Sequence, residues 1–213
     1  MFNGLVRDIG SVRSFDSRLL RIVSRLRPTL GDSIAVNGAC LSVVALHKDG
    51  FSVELSSESA RCLALENFCG KVHLEPAMRF GQGVDGHLMQ GHIDALGVIE
   101  NVCPSAVGID FFVSLPADSL RFVVPKGSIG VEGVSLTIND VSATGFRLTL
   151  IPLTLRETLF GTFAKGRRVH IETDMFVRSL AHLLERRMHG TTNAVAQPQA
   201  AHAAYLEQLL WSY

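Results

Sequence analysis

Residues 33–55 (SIAVNGACLSVVALHKDGFSVEL) align without a gap onto residues 128–150 (SIGVEGVSLTINDVSATGFRLTL), at an offset of 95 positions. Ser33, Ile34, Val36, Gly38, Leu41, Gly50, Phe51 and Leu55 meet the same residue types in the second segment. Arg61 falls opposite Arg156, VHLEPAM (72–78) opposite VHIETDM (169–175), and MFNGLVRDIGSV (1–12) opposite LMQGHIDALGVI (88–99). Two stretches with one pattern of apolar and turn residues bury the same faces, so the chain must fold as two similar units. Solenoid repeats run at about 20–50 residues. The longer period here describes a duplicated domain of about 85–95 residues.

The local signals in each copy are mostly β. Ser33–Val36, Cys40–Leu46 and Gly50–Leu55 are short apolar or alternating runs cut by Asn-Gly and Asp-Gly turns. Phe111–Ser114, Ile129–Val131, Ser135–Val141 and Phe146–Ile151 repeat the pattern. Short strands at roughly 8–12-residue spacing predict a small closed barrel, which leaves no exposed edge. Helical turns are expected near Ser57–Leu65 and Thr154–Phe160, and a glycine-rich join at Met78–Gly86. Beyond Asp174 the period changes, with Leu180, Leu183 and Leu184 at helical spacing. Residues 190–199 read as a flexible link and Ala200–Tyr213 as a second short helix. The expected divisions are a first barrel at 1–85, a second at 86–174, and a helix and tail at 175–213 serving oligomerisation.

Composition narrows the partners. Twenty Lys+Arg balance 20 Asp+Glu, which argues against a broad electrostatic grip on nucleic acid or an anionic membrane. No run reaches the roughly 18–20 apolar residues that span a bilayer, and MFNGLVRDIG lacks the regions of a signal peptide. Cys40, Cys62, Cys69 and Cys103 show no CxxC spacing, so reduced thiols in a cytoplasmic protein are expected. GQGVDG (81–86) matches GxGxxG literally but lacks a surrounding βαβ unit, and His87 and His92 do not make a zinc motif.

Positions where the copies differ are candidates for divided labour. Cys40-Leu41-Ser42 stands opposite Ser135-Leu136-Thr137, Leu5 opposite His92, and Ala77 opposite Asp174. The second copy thus gains an imidazole and a carboxylate, and His92, Ser135, Thr137 and Asp174 could move protons in one pocket while its twin holds a ligand. Plainer readings stand beside these. His92 could be a core or turn histidine, Cys40 a small buried hydrophobe, Lys126 a surface charge and Asp174 a helix cap. Two similar pockets suit a reaction between two similar molecules.

MFNGLV, NGACLSV (37–43), GHLMQGHID (86–94), KGSIGVEGVSLTIND (126–140), LIPLTLRETLFG (150–161) and VHIETD (169–174) resemble riboflavin synthases of the alpha-chain type. The motifs run in order over roughly residues 1–187. The resemblance implies a mainly β fold of two six-stranded Greek-key barrels followed by a C-terminal α-helix. It also implies a cytoplasmic homotrimer built through that helix, with a site between the first barrel of one subunit and the second barrel of a neighbour. The implied activity is a transferase-type dismutation in which two 6,7-dimethyl-8-ribityllumazine molecules exchange a four-carbon unit. Riboflavin and 5-amino-6-(D-ribitylamino)uracil result, in the last step of riboflavin biosynthesis, with no cofactor or metal. Lumazine synthase is a further partner that the resemblance raises.

Carried over residue by residue, the first pocket would use Gly4, Leu5 and Val6, then Cys40, Leu41 and Ser42, then Glu54, Leu55, Ser56, Ser57, Glu58 and Ser59. The second would use Gly91, His92 and Ile93, Lys126, Ser135, Leu136 and Thr137, then Thr149, Leu150, Ile151, Pro152, Leu153 and Thr154, with Asp174 addressing the ribityl chain or ring. His92 paired with Thr137, and assisted by Ser135, would handle protons. Cys40 would act as, or position, the nucleophile toward the acceptor ring. The family usually has Thr at positions 3, 42 and 59 and Gly-Gly-His at 85–87, where this chain has Asn3, Ser42, Ser59 and Asp85-Gly86-His87. Ala60–Phe68 matches poorly. Two rivals remain: a non-catalytic lumazine- or flavin-binding antenna relative, and a scaffold that binds a partner through Ala200–Tyr213. The polar groups kept in the second copy favour the enzyme.

Overall fold

Alternation of apolar and polar residues closes the first copy into a barrel. The computed structural model describes residues 1–16 and 18–190. Strands β1 (Asp8–Phe15), β2 (Leu19–Val23), β3 (Ser33–Val36), β4 (Ala39–His47), β5 (Gly50–Glu54) and β6 (Lys71–Pro76) form a closed ring in the Greek-key order β1-β2-β5-β4-β3-β6. Along β4, Ala39, Leu41 and Val43 point into the core while Ser42 and Val44 face out, the period of two that a half-buried strand requires. Leu20, Ile22, Phe51, Val53, Val72 and Leu74 fill the interior with them. Between β5 and β6 the chain makes the short helix α1 (Ser57–Cys62) and a 3-10 turn at Leu65–Asn67.

The second copy repeats the ring with one interruption. It contains β7 (Ala95–Pro104), β8 (Ile109–Ser114), the short helix α2 (Ala117–Leu120), β9 (Ser128–Val131), β10 (Val134–Thr137), β11 (Asp140–Val141) and β12 (Gly145–Leu150). Helix α3 (Pro152–Glu157), a 3-10 turn at Leu159–Thr162 and β13 (Arg168–Thr173) complete it, in the sheet order β10-β9-β13-β7-β8-β12-β11. This is the first ring with its fourth strand split, so the expected single run Ser135–Val141 is two strands. The break falls at Ile138–Asn139, opposite a register slip between Val43 and Ala45 in β4. Asn139 Oδ1 accepts the Thr149 N–H at 2.7 Å, so a side chain takes up a donor that backbone pairing would otherwise hold.

The two barrels meet about an approximate two-fold relation and form one compact unit, Met1–Met175. The β3–β4 turn is Asn37-Gly38 and the β9–β10 turn is Glu132-Gly133, all four residues with positive φ, as a two-residue hairpin of the favoured hand demands. The turns lie back to back. A Cβ on Gly38 would stand 2.7 Å from the Gly133 nitrogen, and one on Gly133 2.6 Å from the Gly38 nitrogen. Phe2 and Met89, equivalent in the repeat, pair through their backbones at 2.7 and 3.0 Å and are both buried.

Helix α4 (Met175–Gly190) carries Leu180, Leu183 and Leu184 on one side, each more than half exposed. No helix among the described residues is long and apolar enough to cross a membrane. The expected link at 190–199 and helix at Ala200–Tyr213 lie, from residue 191 on, outside the described residues.

Candidate functional site

Each copy begins with an arm that leaves its own barrel and completes the other. The first arm carries Gly4, Leu5 and Val6; the second carries Gly91, His92 and Ile93. Each is anchored to the last strand of its own copy by a buried carboxylate. Glu75 accepts the N–H groups of Asn3 at 2.7 Å and Gly4 at 3.0 Å, and Glu172 those of Gln90 at 2.6 Å and Gly91 at 2.9 Å. Burial pushes the Glu75 carboxyl above the usual carboxylate range, against the pull of those N–H bonds.

Beyond the anchor the arms cross over. The Ser135 N–H donates to the Gly4 carbonyl at 2.8 Å, and the Cys40 N–H to the Gly91 carbonyl at 2.9 Å. Gly4 and Gly91 have φ of +75° and +78°, and a Cβ on either would come within 2.5 Å of the opposing Ser135 or Cys40 Cβ. Only glycine permits both the backbone conformation and the approach. Val6 then packs on the core of the second barrel and Ile93 on that of the first.

This crossing corrects the expected grouping of residues. A cavity of about 510 Å³ on the first barrel is lined by Ala39, Cys40, Ser56, Cys62 and Leu63 together with Gly91, His92 and Ile93. His92 therefore shares a cavity with Cys40, not with Ser135 and Thr137. Gly4 lies against Ser135 in the second barrel, not against Cys40. The repeat alignment pairs equivalent positions, but it carries no information about which barrel an arm reaches.

The imidazole beside Ser135 is His87. Its Nδ1 lies 2.7 Å from Ser135 Oγ. Burial pushes the His87 pKa below its usual range, while the charge of Asp174 pulls it back up. Gly86, immediately before it, packs so closely that a Cβ there would stand 2.0 Å from the Asn3 carbonyl oxygen and 2.8 Å from Ser135 Cβ. Ser135 is thus enclosed by Gly4, Gly86 and His87.

Several carried-over residues have other duties. Leu41, Leu55 and Leu150 are buried core side chains, and Leu136 packs against the second core. Glu54 pairs with Arg18 at 2.7 Å on the exposed outer face. Thr149 Oγ1 donates to Asp110 Oδ1 at 2.7 Å, in a cluster with Arg147, so its hydroxyl belongs to the barrel exterior. Ser42 and Thr137 are exposed on their strands, and Lys126 is exposed in a turn at φ 64°. Ser57, Glu58 and Ser59 lie in α1. Ile151 precedes α3, whose first turn holds Pro152, Leu153 and Thr154. Asp174 stands directly before α4. Cys62 and Leu63, which line the cavity, fall in the stretch Ala60–Phe68 that sequence comparison left poorly matched.

The lumazine-binding domain family model matches this chain twice, at residues 3–77 and 90–174. A riboflavin synthase from Photobacterium phosphoreum is 36% identical over 198 residues, covering 86% of this chain and 89% of that protein. One from Brucella abortus is 34% identical over 199 residues, covering 87% and 98%. Among solved structures, LumP complexed with riboflavin superposes with a TM-score of 0.71 at 23% identity, covering 81% of this chain and 99% of that one.

Proposed function

The chain belongs to the lumazine-binding domain family, and from that premise we propose that it is an enzyme, a riboflavin synthase: it converts two 6,7-dimethyl-8-ribityllumazine molecules to riboflavin and 5-amino-6-(D-ribitylamino)uracil. The curated relatives named riboflavin synthase, matched over most of both chains, support this reading. The observation that carries it is the exchange of arms, which sets Gly4 against Ser135 in one barrel and Gly91 against Cys40 in the other. A reaction of like with like gains most from such a device. Holding two reactants in register supplies up to about 7–11 kcal/mol of the barrier through translational and rotational freedom already given up.

The four-carbon unit leaves one lumazine as the pyrimidine product and completes the ring system of the other, so atoms balance without an outside donor. In the first site, Cys40 and His92 face one cavity. We assign proton handling there to His92, and positioning or attack on the ring to Cys40. To the Ser135 hydroxyl, bonded to His87, we assign the contact with the other substrate. General acid–base help of this kind typically adds about 10²–10⁴-fold. Transferase chemistry, a homotrimer assembled through α4 and an association with lumazine synthase belong to the same proposal. The exposed apolar side of α4 supports the trimer.

Purified chain supplied with the lumazine alone is expected to release riboflavin and the pyrimidine in equal amounts. A folded sample that binds the lumazine without turning it over would instead make the chain a binding protein of the same architecture.

A further inference from the structure

The proposed reaction gives Asn3 no role, yet it is among the most buried polar residues of the first arm. The residue is 3% exposed, and its side chain spans the crossing loop between the barrels. Nδ2 donates to the Gly83 carbonyl at 3.2 Å, and Oδ1 accepts the Gly86 N–H at 2.8 Å. The Asn3 N–H is itself fixed by Glu75 at 2.7 Å. From Gly86 the chain passes directly to His87, whose Nδ1 meets Ser135 Oγ at 2.7 Å. The Ser135 N–H returns to the Gly4 carbonyl, next to Asn3, at 2.8 Å. Asn3, Gly86, His87, Ser135 and Gly4 thus close a ring of contacts.

One link in this ring is weak. His87 is 9% exposed, and its Nε2 is buried with no hydrogen-bond partner among the described residues. An imidazole usually has its orientation set by bonds at both nitrogens. Here one hydrogen bond among the described residues, to Ser135, holds the imidazole, so its place depends on the backbone at Gly86. The group that fixes Gly86 is the Asn3 amide.

We infer that Asn3 is a positioning residue for the second site, setting His87 against Ser135 through its clamp on Gly83 and Gly86. The inference rests on the proposed reaction for its kinetic consequence but not for its geometry. Burial favours the neutral form of His87, the state in which Nδ1 either accepts from the serine hydroxyl or donates to it. A clamp that slips leaves Ser135 without its partner while the substrate cavity of the first barrel keeps its walls.

Asn3→Leu matches the amide in shape and removes both contacts; Asn3→Asp keeps an acceptor for the Gly86 N–H. The leucine variant is expected to lose at least tenfold in kcat with KM for the lumazine changed less than threefold, and the aspartate variant to recover most of the rate. Imidazole ¹⁵N resonances of His87 should titrate closer to the ordinary histidine range in the leucine variant than in the parent. Unchanged kcat and unchanged His87 titration in a folded leucine variant would overturn the inference. Should that variant not fold, hydrogen exchange at the Gly86 amide of the parent chain decides: slow exchange supports the clamp and exchange at the free-peptide rate refutes it. The ¹⁵N and exchange measurements need no turnover, so they judge the clamp even if the parent proves inactive and the proposed reaction fails.

Discussion

His73 and His170 occupy the same place in the two copies, and each reaches across to hold the other barrel. His73 Nδ1 donates to the Glu132 carbonyl at 2.8 Å while Nε2 accepts the Leu159 N–H at 2.7 Å. His170 Nδ1 donates to the Asn37 carbonyl at 2.9 Å while Nε2 accepts the Ala64 N–H at 2.9 Å. An acceptor at one nitrogen and a donor at the other fix the neutral Nδ1–H tautomer in both rings. Leu159 and Ala64 follow the helices α3 and α1, so each histidine also tethers the segment behind the other copy's site.

That arrangement makes stability depend on pH in a defined direction. Burial pushes the His73 pKa from 6.5 down to about 4. A protonated ring could not accept the Leu159 N–H. Between these values the unfolded chain binds a proton that the folded chain refuses, so stability is complete above about pH 6.5 and falls as pH drops toward 4. Urea denaturation should show a loss on the order of 3 kcal/mol across that interval, and His73→Leu should flatten the part due to this ring. A wild-type profile level from pH 7 to 4 would contradict the assignment.

The back-to-back turns predict a graded glycine series. Gly31→Ala meets nothing within 4 Å, and only its φ of +85° opposes a side chain, so a loss of about 1–2 kcal/mol is expected. Gly133→Ala has nearly the same backbone penalty and also drives a Cβ to 2.6 Å from the Gly38 nitrogen. The neighbour there is backbone and cannot swing away, so the loss should exceed the Gly31 value by roughly 2 kcal/mol or more. Denaturant midpoints of the two variants decide it, and equal losses would mean the barrels part without penalty.

Much of this architecture was legible in the repeat. Ser33–Val36 is a strand with the boundaries its pattern suggests, and the Asn37-Gly38 turn lies where an Asn-Gly pair predicts. The break at Asn139 has one local sign, the adjacent polar pair Asn139-Asp140 that ends the alternation of Ser135–Ile138, but the Thr149 N–H bond that accompanies it is a contact ten residues away that alternation does not encode. His73 and His170 do carry a signal in the sequence. Both VHLE and VHIE put a histidine and a glutamate on the strand face opposite the core valine and leucine or isoleucine, and burial on both faces of β6 and β13 marks a second packing partner. The partition of the site is the least legible part. The sequence points to Cys40, Ser56 and His92 as residues, but which barrel an arm joins depends on long-range contacts such as Cys40 with Gly91, and no local pattern encodes those.

Thiol chemistry can report the first site directly. Cys40 and Cys62 line the cavity with His92, whereas Cys69 lies outside it. Saturating lumazine should slow alkylation of Cys40 and Cys62 by iodoacetamide at least fivefold and leave the exposed Cys69 unchanged, as read by peptide mass spectrometry. Equal rates at all three with and without ligand would place the ligand elsewhere.

The crossing arms predict an effect that sequence position would assign to the wrong barrel. Glu172 belongs to the second copy, yet its carboxylate holds Gln90 and Gly91, and Gly91 abuts Cys40 in the first. In Glu172→Gln one carboxylate oxygen becomes an NH₂ that faces a backbone N–H, and a hydrogen bond to a charged group contributes about 1.5–3 kcal/mol. The second arm should loosen, the lumazine concentration that half-protects Cys40 from alkylation should rise roughly tenfold, and the His87 resonance beside Ser135 should stay where it was. Glu75→Gln should do the converse, because its carboxylate holds Asn3 and Gly4, disturbing His87 while sparing Cys40. If each substitution instead affected the site of its own barrel, the arms would not be exchanged in solution.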